Sequence, residues 1–139
     1  MTQGEKELLL KDLCSRIMYG VKCTVYEDTS IHKLSGVLSD NVYNELYFKE
    51  LDWKECDGFA DVQYCKPYLF PLSSMTEEQC YELSSIRSGF QDCWKYIKTP
   101  IPLSICNFEQ IDWFNKNHLD YRGLIPLGLA IDCTNLNIY

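Results

Sequence analysis

Few side chains in this sequence are suited to chemistry, and they are scattered. There are two histidines, His32 and His118, and eight cysteines, at positions 14, 23, 56, 65, 80, 93, 106 and 133. His118 stands at the end of an expected helix, close to Asp120 and Arg122. An imidazole beside a carboxylate can serve hydrolysis or group transfer, but only if the fold brings in a nucleophile. A protonated His118 would also suit the negative end of that helix. Asp120-Tyr121-Arg122-Gly123 is the densest polar stretch and precedes an apolar run. Arg122 offers a planar fork of donors matched to carboxylate or phosphate. Two readings stay open. In one, Lys66, Tyr68, His118, Asp120, Tyr121 and Arg122 hold an anionic ligand or a partner. In the other, Asp120 and Arg122 clamp each other, or the backbone carbonyls, and pin the tail.

Other chemistries find no support. No Cys-x-x-Cys pair occurs, and close pairs are what usually close a zinc chelate. The cysteines read instead as small buried apolar groups. Glu77-Glu78 belong at a helix start, and Asp52 and Glu55 are acids on a solvated stretch. His32, beside Lys33, reads as a solvated strand residue. No Gly-x-Ser-x-Gly elbow, phosphate-binding glycine loop or His-Glu-x-x-His motif is present. The expectation is therefore no catalytic residue, no metal and no cofactor.

The elements that must position these residues follow from periodicity. Apolar residues at 9, 10, 13, 14 and 17 predict a helix over 5–19, capped by Gly20. Lys6, Lys11, Asp12 and Arg16 fall off that stripe. Strands are expected over 21–26, 31–38, 42–48 and 59–65, joined by links too short for parallel crossovers. Residues 66–72 hold two prolines, Pro67 and Pro71, and should run extended outside any central strand. Ser74/Glu77 and Thr76/Gln79 offer two capping registers for a helix over 76–97, which Pro100 and Pro102 stop. Asn107 with Gln110 starts a last helix to 117, with Phe108, Ile111 and Phe114 turned inward. An irregular tail follows, with a short strand near 129–133.

The whole reads as one α+β domain over residues 1–139: an N-terminal helix, an antiparallel meander of three to five strands (with a small curled barrel as a variant), two C-terminal helices and a tail. At 139 residues a second domain would be cramped. The formal charge is −7, and residues 1–65 carry seven basic against twelve acidic groups. That argues against a nucleic-acid platform, which needs a cationic surface. Residues 1–11 mix charges with three leucines and do not read as an export signal, so reduced thiols and a cytoplasmic setting are expected. No apolar run reaches the roughly 20 residues of a membrane span.

Two strings carry a resemblance: Lys66-Pro67-Tyr68-Leu69-Phe70-Pro71-Leu72-Ser73-Ser74-Met75-Thr76-Glu77-Glu78 and Asp120-Tyr121-Arg122-Gly123-Leu124-Ile125-Pro126-Leu127-Gly128-Leu129-Ala130. With Tyr19-Gly20-Val21-Lys22, and in the same order, they resemble a family of small uncharacterised proteins from gut anaerobic bacteria and their prophages. Phe70 stands where that pattern has a basic residue, so any anion contact made there in relatives is lost. The resemblance implies a mobile-element origin and no reaction. Together these readings give a non-enzymatic accessory protein that binds a host or phage protein, or a second copy of itself. A small-anion binder, for instance of a nucleotide, comes second. A small hydrolase or transferase using His118 and Asp120 comes third, and a small-barrel nucleic-acid binder last.

Overall fold

The computed structural model describes residues 1–26, 30–39, 44–49, 58–86 and 106–139. The chain opens on a reciprocal cap. The Glu5 N–H donates to the Thr2 hydroxyl while the Thr2 N–H donates to the Glu5 carboxylate, starting α1 (Gln3–Arg16). The face that α1 buries is Leu9, Asp12, Leu13 and Arg16, spaced i, i+3, i+4, i+7. The expected stripe is thus rotated: Cys14 is exposed, and the two charged residues assigned to solvent lie inside. A short 3-10 turn (Ile17–Tyr19) ends on Gly20 at φ +69, a left-handed position that glycine occupies without strain.

The strands are β1 (Lys22–Val25), β2 (His32–Ser39), β3 (Asn44–Phe48), β4 (Phe59–Asp61), β5 (Cys65–Leu69) and β6 (Ile131–Asp132). They form one sheet in the order β4-β3-β2-β1-β5-β6. β1 to β4 make the expected antiparallel meander. Two expectations are corrected. The sheet stays open, with β4 and β6 at its edges, and is not a barrel. It is also mixed, because β5 and β6 are parallel.

The proline segment is a third correction, since 65–69 form β5 beside β1 rather than running outside the sheet. Pro67 pairs with Cys23 on one side, while β6 meets β5 only at Tyr68 and Leu69. At Pro67 the strand is therefore locally an edge, where a missing N–H costs no ladder bond.

α2 (Glu77–Ile86) uses the Thr76/Gln79 cap, not Ser74/Glu77. The expected continuation through Gly89, Phe90, Trp94 and Ile97 to the prolines lies outside the described residues. α3 (Phe108–Lys116) starts on the predicted Asn107/Gln110 box. Phe114 is inside, but Phe108 is 90% exposed. It lies about 200° around the helix from buried Gln110, on the opposite face.

α1 packs on one face of the sheet, where Leu9 and Leu13 meet Val25, Leu34, Phe48 and Leu69. α2 and α3 build a second core from Leu72, Leu83, Phe114, Leu119 and Tyr121. The tail returns over β5. Phe70 N–H donates to the His118 carbonyl and Asp120 N–H to the Phe70 carbonyl, at 2.9 and 2.8 Å. The end of the tail then covers Tyr68 with Cys133 and Ile138. Among the described residues no helix is long and apolar enough to cross a membrane.

Candidate functional site

The polar residues of α1 and the tail meet between α1 and α3. Arg16 is fully buried and uses four of its five N–H donors. Its Nε donates to Asp12 Oδ2 at 2.7 Å and its Nη2 to Asp12 Oδ1 at 3.1 Å. The same Nη2 reaches the Leu119 carbonyl at 2.8 Å, and Nη1 reaches Phe114 O at 3.4 Å. One guanidinium thus ties α1 to the end of α3 and to the tail. A bidentate pair with backbone acceptors is the arrangement that makes a buried ion pair tolerable. Neither Asp12 nor Arg16 is among the residues the sequence nominated. Their i, i+4 spacing in register with Leu9 and Leu13 is the signal that marks them.

Tyr121 is the centre of the cluster. Its ring stacks on Phe114 at 5.3 Å, with Arg16 at 5.2 Å and Arg122 at 4.9 Å from the centroid. Its hydroxyl donates to Asn115 Oδ1 at 3.0 Å, which also accepts from Ser15 at 3.3 Å. Asp120 and Arg122 do not clamp each other. The Asp120 carboxylate instead accepts the backbone N–H groups of Leu124 and Ile125, both at 2.8 Å. Burial holds the Asp120 carboxyl above its ordinary value, and those two amides offset only part of that rise. Arg122 turns to α1, with Nε 3.1 Å from Asp12 Oδ1. That N–H is not aimed at the oxygen, so the contact is an ion pair without a hydrogen bond.

His118 joins a different group. Its backbone is left-handed at φ +52, and its ring lies flat on Tyr139, with centroids 3.8 Å apart and planes 10° apart. The Tyr139 hydroxyl donates to the Tyr68 carbonyl at 2.9 Å and accepts the Lys22 N–H at 3.1 Å. The Lys22 ammonium stands 5.5 Å from the same ring. Burial, then Arg16 and Lys22, lower the His118 pKa to about 4. The imidazole is thus neutral at pH 7, which corrects the expected helix-end cation. Its Nδ1 is buried without a partner, and no nucleophile is aimed at it among the described residues.

The six nominated residues therefore divide. His118 and Tyr68 belong to the Tyr139 clasp, while Asp120, Tyr121 and Arg122 gather at the α1–α3 junction. Lys66 joins neither. It is exposed on β5, opposite Thr24 of β1. His32 is half-buried with its ring near Phe48, rather than solvated. Cys14, Cys23, Cys65, Cys80 and Cys133 are free thiols. Burial pushes Cys65 up to about 12 and Cys133 up to about 11, so both stay thiols at neutral pH and are poor nucleophiles. Among the described residues, no group of three or more His, Cys, Asp or Glu could hold a metal ion. No family model, curated protein or solved structure matches the chain.

Proposed function

We propose that this protein acts without catalysis, by binding a partner protein on the part of the sheet face opposite α1 that the tail leaves exposed, around Lys33 and Lys66. The expected setting is that of an accessory protein of a prophage or related element. The supporting observation is one of charge. In a chain of net charge −7, the three adjacent strands β2, β1 and β5 hold Lys33, Lys22 and Lys66 and no Asp or Glu. Lys22 pairs directly with Lys33, and Thr24 with Lys66, so the three lysines stand on one side of the sheet. The Lys22 ammonium donates to the Ile138 carbonyl at 2.5 Å, which leaves Lys33 and Lys66 to offer the charge. Lys33 and Lys66 are exposed. Beyond β1, Tyr26 and Tyr64 stack at 4.9 Å and are 38% and 49% exposed. Tyrosine set beside cationic groups is a composition typical of contact surfaces. The partner this face fits is an acidic segment of another protein. The buried clusters support the same reading, since Asp12, Arg16, Asp120 and Tyr121 are all committed to contacts within the chain.

The test is photocrosslinking in native host cells from two positions, Ser35 beside Lys33 on β2 and Glu7 on α1, both exposed. A discrete protein adduct from position 35 is expected. It should be absent from position 7 and lost in the Lys33→Glu/Lys66→Glu variant. Equal adducts from both positions, an adduct indifferent to the charge reversal, or crosslinking to nucleic acid would overturn the proposal.

A further inference from the structure

The two arginines of the α1–α3 cluster are unequal in their hydrogen bonding. Arg16 makes four hydrogen bonds and engages both oxygens of Asp12. The Arg122 side chain is almost as deeply placed, at 7% exposed. Yet among the described residues none of its N–H groups has an aligned acceptor. Its Nε is buried without a hydrogen-bond partner, and its other contacts are the Asp12 ion pair and the face of Tyr121. A guanidinium carries five donors; the buried Nε–H is left unmade beside Asp12, which is costly, and the Nη hydrogens have no acceptor among the described residues. The local charge is also incomplete. Asp12 is one carboxylate between two guanidinium groups, and Asp120 is turned to the amides of Leu124 and Ile125.

We propose that Arg122 is an oxyanion-binding residue, oriented by Asp12 and Tyr121 to receive one carboxylate or phosphate group on its unused donors. Tyr121 fixes the plane of the guanidinium from its face, and Asp12 fixes one edge. The planar fork left over matches two oxygens of a single anion. The proposal shares no residue with the lysine face of the sheet, and it stands or falls independently of the partner proposed there. The shared chemistry is the pair of oxygens, which a free metabolite or an acidic side chain could supply.

The experiment is a thermal-shift titration at constant ionic strength with acetate, citrate, inorganic phosphate and adenosine monophosphate, against chloride. It is run on the wild type, Arg122→Lys and Arg122→Gln. A saturable rise in Tm of about 2–4 °C is expected with at least one oxyanion. Arg122→Lys should weaken it, because a point charge replaces a fork, and Arg122→Gln should abolish it. A response to acetate and citrate alone identifies a carboxylate site, and one to the phosphates alone a phosphate site. In parallel, the Arg122 Nε–H resonance of arginine-labelled wild type is followed through the same titrations, which decides the matter even if the variants do not fold. Its displacement by the anion is expected. No oxyanion response in the wild type, a response retained in Arg122→Gln, or a stationary Nε–H signal would overturn the assignment.

Discussion

The neutral state of His118 makes a prediction whose size follows from the structure. The folded protein holds this imidazole at a pKa of about 4, against an ordinary value of 6.5. As pH falls below 6.5 the unfolded chain takes up a proton that the folded chain refuses, so stability present above that value is lost towards pH 4. Two-state linkage with these two values gives a loss of about 2 kcal/mol between pH 7 and pH 5. Tyr139, which stacks on the ring, is itself 41% exposed, so solvent screens part of this, and about 1–2 kcal/mol is expected. His118→Asn is the informative variant, because asparagine tolerates the left-handed φ of +52 and does not titrate. Losing the ring stack should cost about 0.5–1.5 kcal/mol at every pH. Urea unfolding followed by circular dichroism at pH 7 and pH 5 reads both quantities. The wild type should lose more stability than the variant over that interval, by the amount given. Identical pH dependence in the two proteins would refute a neutral, buried His118.

Two further substitutions test the scaffold. Asp12→Ala leaves Arg16 and Arg122 without their shared carboxylate and should cost about 3–5 kcal/mol in urea unfolding, a large part of a typical domain's stability. A loss below about 1 kcal/mol would mean that solvent reaches the pair. Asn107→Ala removes the acceptor for the Gln110 amide at 2.8 Å and should cost about 1 kcal/mol, whereas Asn107→Ser should cost much less. Equal losses in both variants would remove the cap from the account.

The elements were legible in the sequence because they rest on local rules. The Asn107/Gln110 box, the Gly20 cap and the period-two runs of β1 to β3 each announce themselves within a few residues. What escaped depends on residues far apart in the chain. Arg16 is buried only because Phe114 and Leu119, about a hundred positions on, supply carbonyls to it. Periodicity sets Asp12 and Arg16 in register with Leu9 and Leu13, but only those distant carbonyls make it possible to bury the charged pair. β5 is hard to read in the sequence because Pro67 and Pro71 argue against a strand in an apolar, aromatic run, and its partner β6 is only two residues long. Within the site, Tyr121 and Arg122 were recognised, but the acid that orients Arg122 is Asp12 on α1, not its sequence neighbour Asp120. The overall charge pointed away from a cationic face for a similar reason. Seven of the twelve acids in residues 1–65, at 27, 28, 40, 50, 52, 55 and 57, lie outside the described residues, while β1, β2 and β5 hold three lysines and no acid.

The claim that the working surface is the lysine face is tested most directly by titrating nitrogen-15-labelled protein with a synthetic glutamate-rich peptide at low salt. The shifts are mapped amide by amide in the wild type and in Lys33→Glu/Lys66→Glu. The account predicts a contiguous set of shifting amides in β1, β2 and β5, around Lys22, Lys33 and Lys66, which the double reversal eliminates while the fold is retained. Stationary amides in those three strands, or shifts that survive the reversal unchanged, would contradict it.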